Sequence, residues 1–177
     1  MIMDAQLILS QNQAITVTAP STGTYDAAGV GVGVAPPNWF GISDTVFGQD
    51  SGIGHGAARP TIVCMVTTAF AAAGAGTLQV QLQASVDSGT PGYTPSSWVT
   101  LVETDTLSLA QLTGLMVGNV QTFKIAEFDI PPRAPNQNLP RFYRLNYVVA
   151  TGPMTAGALS SYINLGRDDT PTYPASY

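Results

Sequence analysis

Alternation of apolar and polar residues over Thr77–Val86 is the feature that most constrains the fold of this chain. Leucine, valine and alanine occupy the even positions from 78 to 86, while glutamine and serine occupy the odd positions from 79 to 85. Because side chains of a β-strand alternate between the two faces of a sheet, the segment is predicted to be an antiparallel strand with one buried face. The even positions, Val86 included, are predicted to face the core.

Several other segments are also predicted to be strands, from their β-branched and aromatic residues and their spacing. They are Gln6–Leu9, Ala14–Thr18, Thr61–Phe70, Trp98–Thr104, Gln121–Ile130, Arg141–Ala150 and Ala158–Leu165. The sequence AAAGAG at 71–76 is predicted to join the strands before and after it as a hairpin. The apolar phase changes between Ile125 and Phe128, which predicts a β-bulge near Ala126.

One short helix is predicted near 107–117, because Leu109, Leu112 and Met116 follow helical spacing. Ser108 and Gln111 have the spacing of a capping box at its start. The chain contains 18 glycines and 13 prolines among 177 residues, an excess that favours many turns over long helices. The predicted fold class is therefore all-β, an antiparallel β-sandwich with a single short helix.

The chain is predicted to form a single domain with arms. An N-terminal arm and the first strands occupy 1–22, and a long Gly/Pro-rich loop region occupies 23–59. The β-sandwich core occupies 60–165, and an extended C-terminal tail occupies 166–177. A loop as long as 23–59 is uncommon in a compact domain unless it is functional or ordered by a partner.

Residues suited to catalysis or metal binding are scarce. His55 and Cys64 are the single histidine and the single cysteine of the chain. Ser51 lies four residues before His55 in a Gly-rich segment, whereas triad chemistry needs a base on a separate element, oriented by a third group. Cys64 lies in an apolar run and is predicted to be a core residue. The chain is therefore predicted not to be an enzyme and to need no cofactor or metal.

The charge balance argues against nucleic-acid and membrane partners. Six basic and 11 acidic residues give a net charge of −5, so no basic stripe is present to neutralise phosphates. No apolar run reaches the length of roughly 20 residues that a membrane helix needs. Charged residues make up 10% of the chain, against about 25% in an average soluble domain. A surface so poor in charge is predicted to be covered largely by other subunits.

Four stretches of the sequence resemble a family of tailed-phage structural proteins, the small capsid cement, or decoration, proteins on the outside of phage heads. The stretches are MIMDAQLILSQNQAITVTA (1–19), FAAAGAGTLQVQLQASVD (70–87), LSLAQLTG (107–114) and RFYRLNYVVATGPMTAGALSSYINL (141–165). The resemblance implies a jelly-roll-like β-sandwich, bound as an oligomer over junctions between major capsid proteins. It also implies a location on the capsid exterior of the virion, after synthesis in the bacterial host cytoplasm.

The expected function is to bind the outside of a bacteriophage capsid and to stabilise contacts between major capsid proteins. Copies of the chain are expected to associate with each other, with a homodimer favoured over a trimer because closed two-fold interfaces are the commonest. The alternative is a carbohydrate-binding jelly-roll module on the virion surface. Its aromatic platform would come from Trp39, Trp98 or Tyr93, which are expected on loops.

The termini and the long loop are expected to supply the interface with neighbouring subunits. The candidate interface residues are Met1, Asp4, Leu7, Trp39, Phe40, Tyr173 and Tyr177. For the tail from Pro171 to Tyr177, burial of two tyrosine rings nearly balances the entropy lost on ordering the backbone. The tail is therefore expected to be ordered only where a neighbouring subunit presents a groove.

Overall fold

The structure is a computed structural model that describes residues 7–27, 31–35, 61–89, 91–114, 123–130 and 140–164. The strands are β1 (Ile8–Ala14), β2 (Ala19–Pro20), β3 (Tyr25–Asp26), β4 (Thr61–Ala72), β5 (Thr77–Asp87), β6 (Pro95–Glu103), β7 (Leu107–Ser108), β8 (Phe123–Asp129), β9 (Phe142–Ala150) and β10 (Met154–Asn164). A single helix, α1 (Leu109–Gly114), lies within these ranges.

The described strands form two antiparallel sheets. Sheet A has the order β1-β10-β4-β8, and sheet B has the order β2-β9-β5-β6, with β3 also paired to β9 and β7 to β5. When β2 and β3 are taken as two parts of one edge strand, and β7 as an addition beside β5, the order is that of an eight-stranded jelly roll. The predicted all-β antiparallel sandwich is confirmed, and its strand order is that of a jelly roll.

The core lies between the inward faces of the two sheets. The predicted alternation in β5 holds for Leu78, Val80 and Leu82, which are fully buried. They pair with β9, where Leu145 is the register partner of Leu82 and is equally buried. Sheet A contributes fully buried side chains opposite them, among them Leu9, Ile62, Val66 and Leu159.

The β5 alternation breaks at its end. Ser85 is 2% exposed, whereas Val86, which the pattern predicts to be buried, is 39% exposed. The pairing of β5 with β9 is regular as far as Ser85 and Phe142, and the register shift between Ser85 and Asp87 places its extra residue on β6. The predicted burial of Val86 is therefore wrong at the end of the strand.

The predicted hairpin at 71–76 is also wrong. β4 belongs to sheet A and β5 to sheet B, so the segment between them crosses from one sheet to the other. The crossing is tight, because a Cβ atom at Gly76 would lie 2.9 Å from the Met154 sulfur. Small residues in AAAGAG therefore mark a close passage over the end of the sandwich.

The predictions that concern a single strand or helix agree well with the structure. Cys64 pairs with Ala126 and Met65 with Lys124, which leaves Ile125 as an extra residue one position from the predicted bulge. The capping box is present, since the Ser108 amide donates to Gln111 Oε1 at 2.8 Å and the Gln111 amide donates to Ser108 Oγ at 3.3 Å. The predicted helical residues 115–117 lie outside the described residues.

The N-terminal prediction of two short strands is wrong. A single strand, β1, spans Ile8–Ala14 instead. Its pairing with β10 shifts register twice, between Ile8 and Ser10 and between Ser10 and Gln13, and Asn12 has a positive φ of 47°. Each register shift changes which face of the sheet the following residues point to. The sequence of β1 therefore shows no regular alternation of apolar and polar residues.

Candidate interaction surface

A fully buried arginine holds one end of sheet B together. Arg141 precedes β9, and its side chain is 0% exposed. Its guanidinium makes a bidentate contact with Asp26 on β3, with Nε 2.8 Å from Oδ1 and Nη2 2.8 Å from Oδ2. Nη1 donates to Asp87 Oδ2 at the end of β5, at 2.5 Å. The hydrogen bonds that Arg141 donates to Asp26 raise the pKa of Arg141, so the guanidinium stays charged.

The same arginine fixes residues 31–35 against the sheet. Arg141 Nη2 donates to the carbonyl of Gly31 at 3.2 Å and to that of Val34 at 2.8 Å. The Gly31 amide donates to Asp26 Oδ2 at 2.8 Å, and the Gly33 amide donates to the Tyr93 carbonyl at 2.9 Å. Residues 31–35 are thus held beside the turn that leads into β6.

The outward face of sheet B carries a ladder of polar side chains. Gln81 donates to Glu103 at 2.9 Å and accepts from Asn146 at 3.0 Å. Arg144 donates to Gln83 at 2.9 Å, and its guanidinium carbon lies 4.2 Å from the centroid of the Trp98 ring. Trp98 is expected on a loop but lies within β6. Arg144 lies over one face of its ring.

Exposed apolar side chains cluster along β6. Of the seven large apolar side chains exposed in the described part of the chain, six lie on this strand or beside it. We call these six the β6 patch: Val32, Val34, Val86, Val99, Leu101 and Val102. Val86 lies in β5 between the residues that pair with Trp98 and Pro95, and Val32 and Val34 flank Gly33, which is bonded to Tyr93. The patch therefore follows the length of one edge of sheet B.

The described sheet edges, β6 included, carry features that oppose edge-to-edge pairing. The pairing of β6 with β5 shifts register between Leu82 and Gln83 and between Ser85 and Asp87, and the extra residue lies on β6 each time. β8 has a bulge and the Lys124–Glu127 ion pair. β1 has two register shifts, and the edge formed by β2 and β3 is interrupted after Pro20. β6 pairs with β5 on one side, and no described strand pairs with its other side. From Pro95 to Val102 this strand has no charged residue.

A buried tyrosine hydroxyl forms hydrogen bonds across the core, from one sheet to the other. The Tyr147 hydroxyl on β9 shares hydrogen bonds with Ser10 Oγ at 2.8 Å and with Ser161 Oγ at 2.9 Å. These serines belong to β1 and β10, so the tyrosine links sheet B to two strands of sheet A. Burial raises the pKa of the nearby Cys64 thiol to about 12, opposed in part by a hydrogen bond with Tyr147. Burial likewise raises the pKa of Tyr147.

These groups predict a loss of stability at alkaline pH. The folded chain keeps the Cys64 proton above pH 9.0, the ordinary pKa of the thiol, while the unfolded chain releases it. The contribution of Cys64 to stability is therefore complete below pH 9.0 and falls by about 1.4 kcal/mol per pH unit as the pH rises towards 12, and above pH 10.0 Tyr147 adds to the fall. Urea unfolding at a series of pH values measures this slope. A Cys64→Ala variant is expected to show a smaller slope, and equal slopes in the two proteins would contradict the assignment.

A family model named Bbp16 matches residues 9–163. The chain belongs to the Bbp16 family. The matched residues begin in β1 and end in β10, so the Bbp16 match coincides with the jelly roll and leaves out the two terminal segments. The Bbp16 family is phage-associated, which agrees with the resemblance to phage structural proteins. A comparison with curated proteins finds no match.

Most of the candidate interface residues of this Bbp16-family chain lie outside the described residues. They are Met1, Asp4, Trp39, Phe40, Tyr173 and Tyr177. Leu7 is described and is partly buried against the core of its own chain. The β6 patch and the Arg141 cluster were not predicted from the sequence. The absence of charge from Pro95 to Val102 was the available signal for the patch, and no local pattern marks the cluster.

The candidate chemical groups of the Bbp16-family chain are partly described. Ser51 and His55 lie outside the described residues, and Cys64 is fully buried in the core as predicted. Within the described ranges, no group of three or more His, Cys, Asp or Glu residues is placed to hold a metal ion. A search of the same ranges for a helix with the length and hydrophobicity to cross a membrane finds none.

Proposed function

We propose that this chain is a virion structural protein that binds the outside of a bacteriophage capsid and stabilises contacts between major capsid proteins. The observation that carries the proposal is the match to the Bbp16 family, which is phage-associated. The match extends from β1 to β10 of the jelly roll. The resemblance of four sequence stretches to phage cement proteins supplies the specific role. Its expected location is the capsid exterior.

The chemistry of the described surface supports a binding role. Lys124 is the single lysine of the chain, and charged residues make up 10% of it. Protein interfaces are depleted in lysine, glutamate and aspartate relative to other surfaces. Arg141 and Tyr147 fix the sandwich internally, one within sheet B and the other between the sheets. A rigid body loses little conformational entropy on binding, and a surface poor in charge loses little solvation of charged groups.

The proposal is tested with purified chain and capsids that lack it. Saturable binding to expanded capsids, with a raised temperature of particle disruption, is the expected result. A chain that binds no capsid, and is found free and not in purified particles, would contradict it.

A truncation after Arg167 tests the role of the tail. The shortened chain keeps all of β10, so it is expected to fold and to melt like the full chain. It is expected to bind capsids more weakly, because the tail tyrosines are expected to bury apolar surface against a neighbouring subunit. Capsid occupancy and particle melting are the measurements, with Tyr173→Ala and Tyr177→Ala in the full chain as matched variants. Unchanged occupancy would mean that the tail is not a clamp.

A second candidate function is carbohydrate binding on the virion surface. The observation that favours it is the outward face of sheet B, which carries Trp98, stacked on Arg144, and the amides of Gln81, Gln83 and Asn146. Arg144 already covers one face of the Trp98 ring, which leaves less aromatic surface for a sugar. Glycan-dependent quenching of tryptophan fluorescence that disappears in Trp98→Phe would favour this function over capsid binding.

A further inference from the structure

We propose that Arg144, held in place by Trp98 and Gln83, binds an acidic side chain of the major capsid protein from the outward face of sheet B. We call these three residues the Arg144 site. The inference rests on the proposed capsid binding and deepens it, because it names one residue of the contact and the chemical group that the residue binds.

The charge of Arg144 has no acidic partner among the described residues. Lys124 and Arg141, the other basic residues of the described ranges, both form ion pairs, and Arg144 forms none with a described residue. Strands β5, β6 and β9 contain two acidic residues, and both have other partners. Asp87 accepts from Arg141, and Glu103 accepts from a glutamine amide at 2.9 Å. The guanidinium of Arg144 is therefore available to a carboxylate of another molecule.

The guanidinium of Arg144 is fixed on two sides, and its outer nitrogens are not bonded to any described residue. Its central carbon lies 4.2 Å from the centroid of the Trp98 ring, and Nε donates to Gln83 Oε1 at 2.9 Å. The Gln83 amide also donates to Thr100 Oγ1 at 3.4 Å, so it is oriented from its other end. Nη1 and Nη2 can bind both oxygens of a carboxylate in the bidentate geometry that guanidinium groups favour.

Arg141 shows what a carboxylate partner does for a buried guanidinium in this chain. Its hydrogen bonds to Asp26 raise the pKa of Arg141. Burial instead lowers the pKa of Arg144, because the half-buried guanidinium has lost hydration. A carboxylate brought by a partner favours the charged form and compensates for this lost hydration. The Arg144 site therefore gains more from an acidic group than a fully hydrated surface arginine does.

The surroundings of Arg144 favour a protein as the source of that carboxylate. Sites for small molecules are concave, whereas Arg144 lies on the outward face of the adjacent strands β9, β5 and β6. Nucleic acids require several cations, and Arg144 is the single basic residue of these three strands. Arginine and tryptophan are the residue types that most often dominate the binding energy of protein interfaces. The net charge of −5 disfavours a strongly acidic partner, so the site suits a single carboxylate.

Arg144→Gln and Lys124→Gln provide the variant and its control. Each removes one positive charge, but Lys124 lies on β8 of sheet A, and its side chain is 55% exposed. Arg144→Gln is expected to weaken binding to capsids that lack the chain by about tenfold or more. Lys124→Gln is expected to change it by less than about twofold, because exposed ion pairs contribute little. Arg144→Lys keeps the charge without the planar fork and is expected to recover only part of the affinity.

Neutralising the carboxylates of the capsid tests the chemistry of the partner. Capsids are treated with carbodiimide and ethanolamine, which convert accessible carboxylates to neutral amides. The natural chain and Arg144→Gln are expected to bind the treated capsids with equal affinity, because the group that distinguishes them has been removed. Thermal melts of each variant show that it is folded, so a loss of binding is not a loss of structure.

Several outcomes would overturn this inference. Equal binding of untreated capsids by the natural chain and Arg144→Gln removes the Arg144 site and leaves the proposed function standing. A difference between them that persists on treated capsids means that the partner of Arg144 is not a carboxylate. Binding of polygalacturonic acid that depends on Arg144, with capsid binding unchanged, assigns the site to a glycan instead. A natural chain that binds no capsid contradicts both the proposed function and this inference.

Discussion

Replacing Arg141 with alanine is expected to lower the free energy of unfolding by about 3–5 kcal/mol, because it leaves the buried carboxylate of Asp26 without its cation. Asp26, whose side chain is 5% exposed, loses both of its bonds to the guanidinium. The carbonyls of Gly31 and Val34 lose a donor at the same time. Urea unfolding followed by circular dichroism measures the change.

Arg144 is the matched control for this prediction. It is a half-buried arginine on β9 that stacks over Trp98 and bonds to Gln83, and it forms no ion pair with a carboxylate of the described residues. Arg144→Ala is expected to cost about 1 kcal/mol, the size of a typical net hydrogen bond. If Arg141→Ala and Arg144→Ala lower the free energy of unfolding equally, the ion pairs of Arg141 contribute no more to stability than the contacts of Arg144 do. In Arg141→Met with Asp26→Asn, part of the loss is expected to be recovered, since one uncompensated charge is gone.

The second large effect is expected at the register pair Leu82 and Leu145 in the core of sheet B. Either residue changed to alanine is expected to cost about 2–5 kcal/mol, because a fully buried leucine leaves a cavity. Gln81 and Gln83, which alternate with Leu82 and face outward, are expected to tolerate alanine at about 0.5 kcal/mol or less.

Thermal and urea unfolding of the four alanine variants separates the two faces of β5. The alternation in the sequence and the burial in the structure both place leucine inside and glutamine outside. Comparable losses at Leu82 and Gln81 would mean that the hydrogen bonds of Gln81 to Glu103 and Asn146 stabilise the sheet as much as core packing does.

Features of the fold that depend on neighbouring residues were predictable. The span of β5 follows from side-chain alternation, and the capping box of α1 from Ser108 and Gln111 three positions apart. The bulge in β8 follows from the change of apolar phase after Ile125. In each case the physical cause acts within a few residues, so the sequence itself displays it.

Features that depend on distant residues were not predictable. The small residues at 71–76 suit a hairpin within one sheet as well as a crossover between two sheets. The segment is a crossover because β4 and β5 join different sheets. Arg141 lies 115 residues from Asp26 and 54 from Asp87, and no local spacing brings these charges together. The same holds for Tyr147, whose serine partners come from β1 and β10.

The pairing of β1 with β10 sets the order of events during synthesis. In the described part of the chain, β1 has β10 as its strand partner, and β2 and β3 both pair with β9. The first strands therefore wait for the last ones, until residues 142–164 have been translated. Contacts between such distant residues form slowly, and unpaired strands meanwhile remain open to aggregation. We therefore expect the folding rate of this chain to be limited by the pairing of its first strands with its last ones.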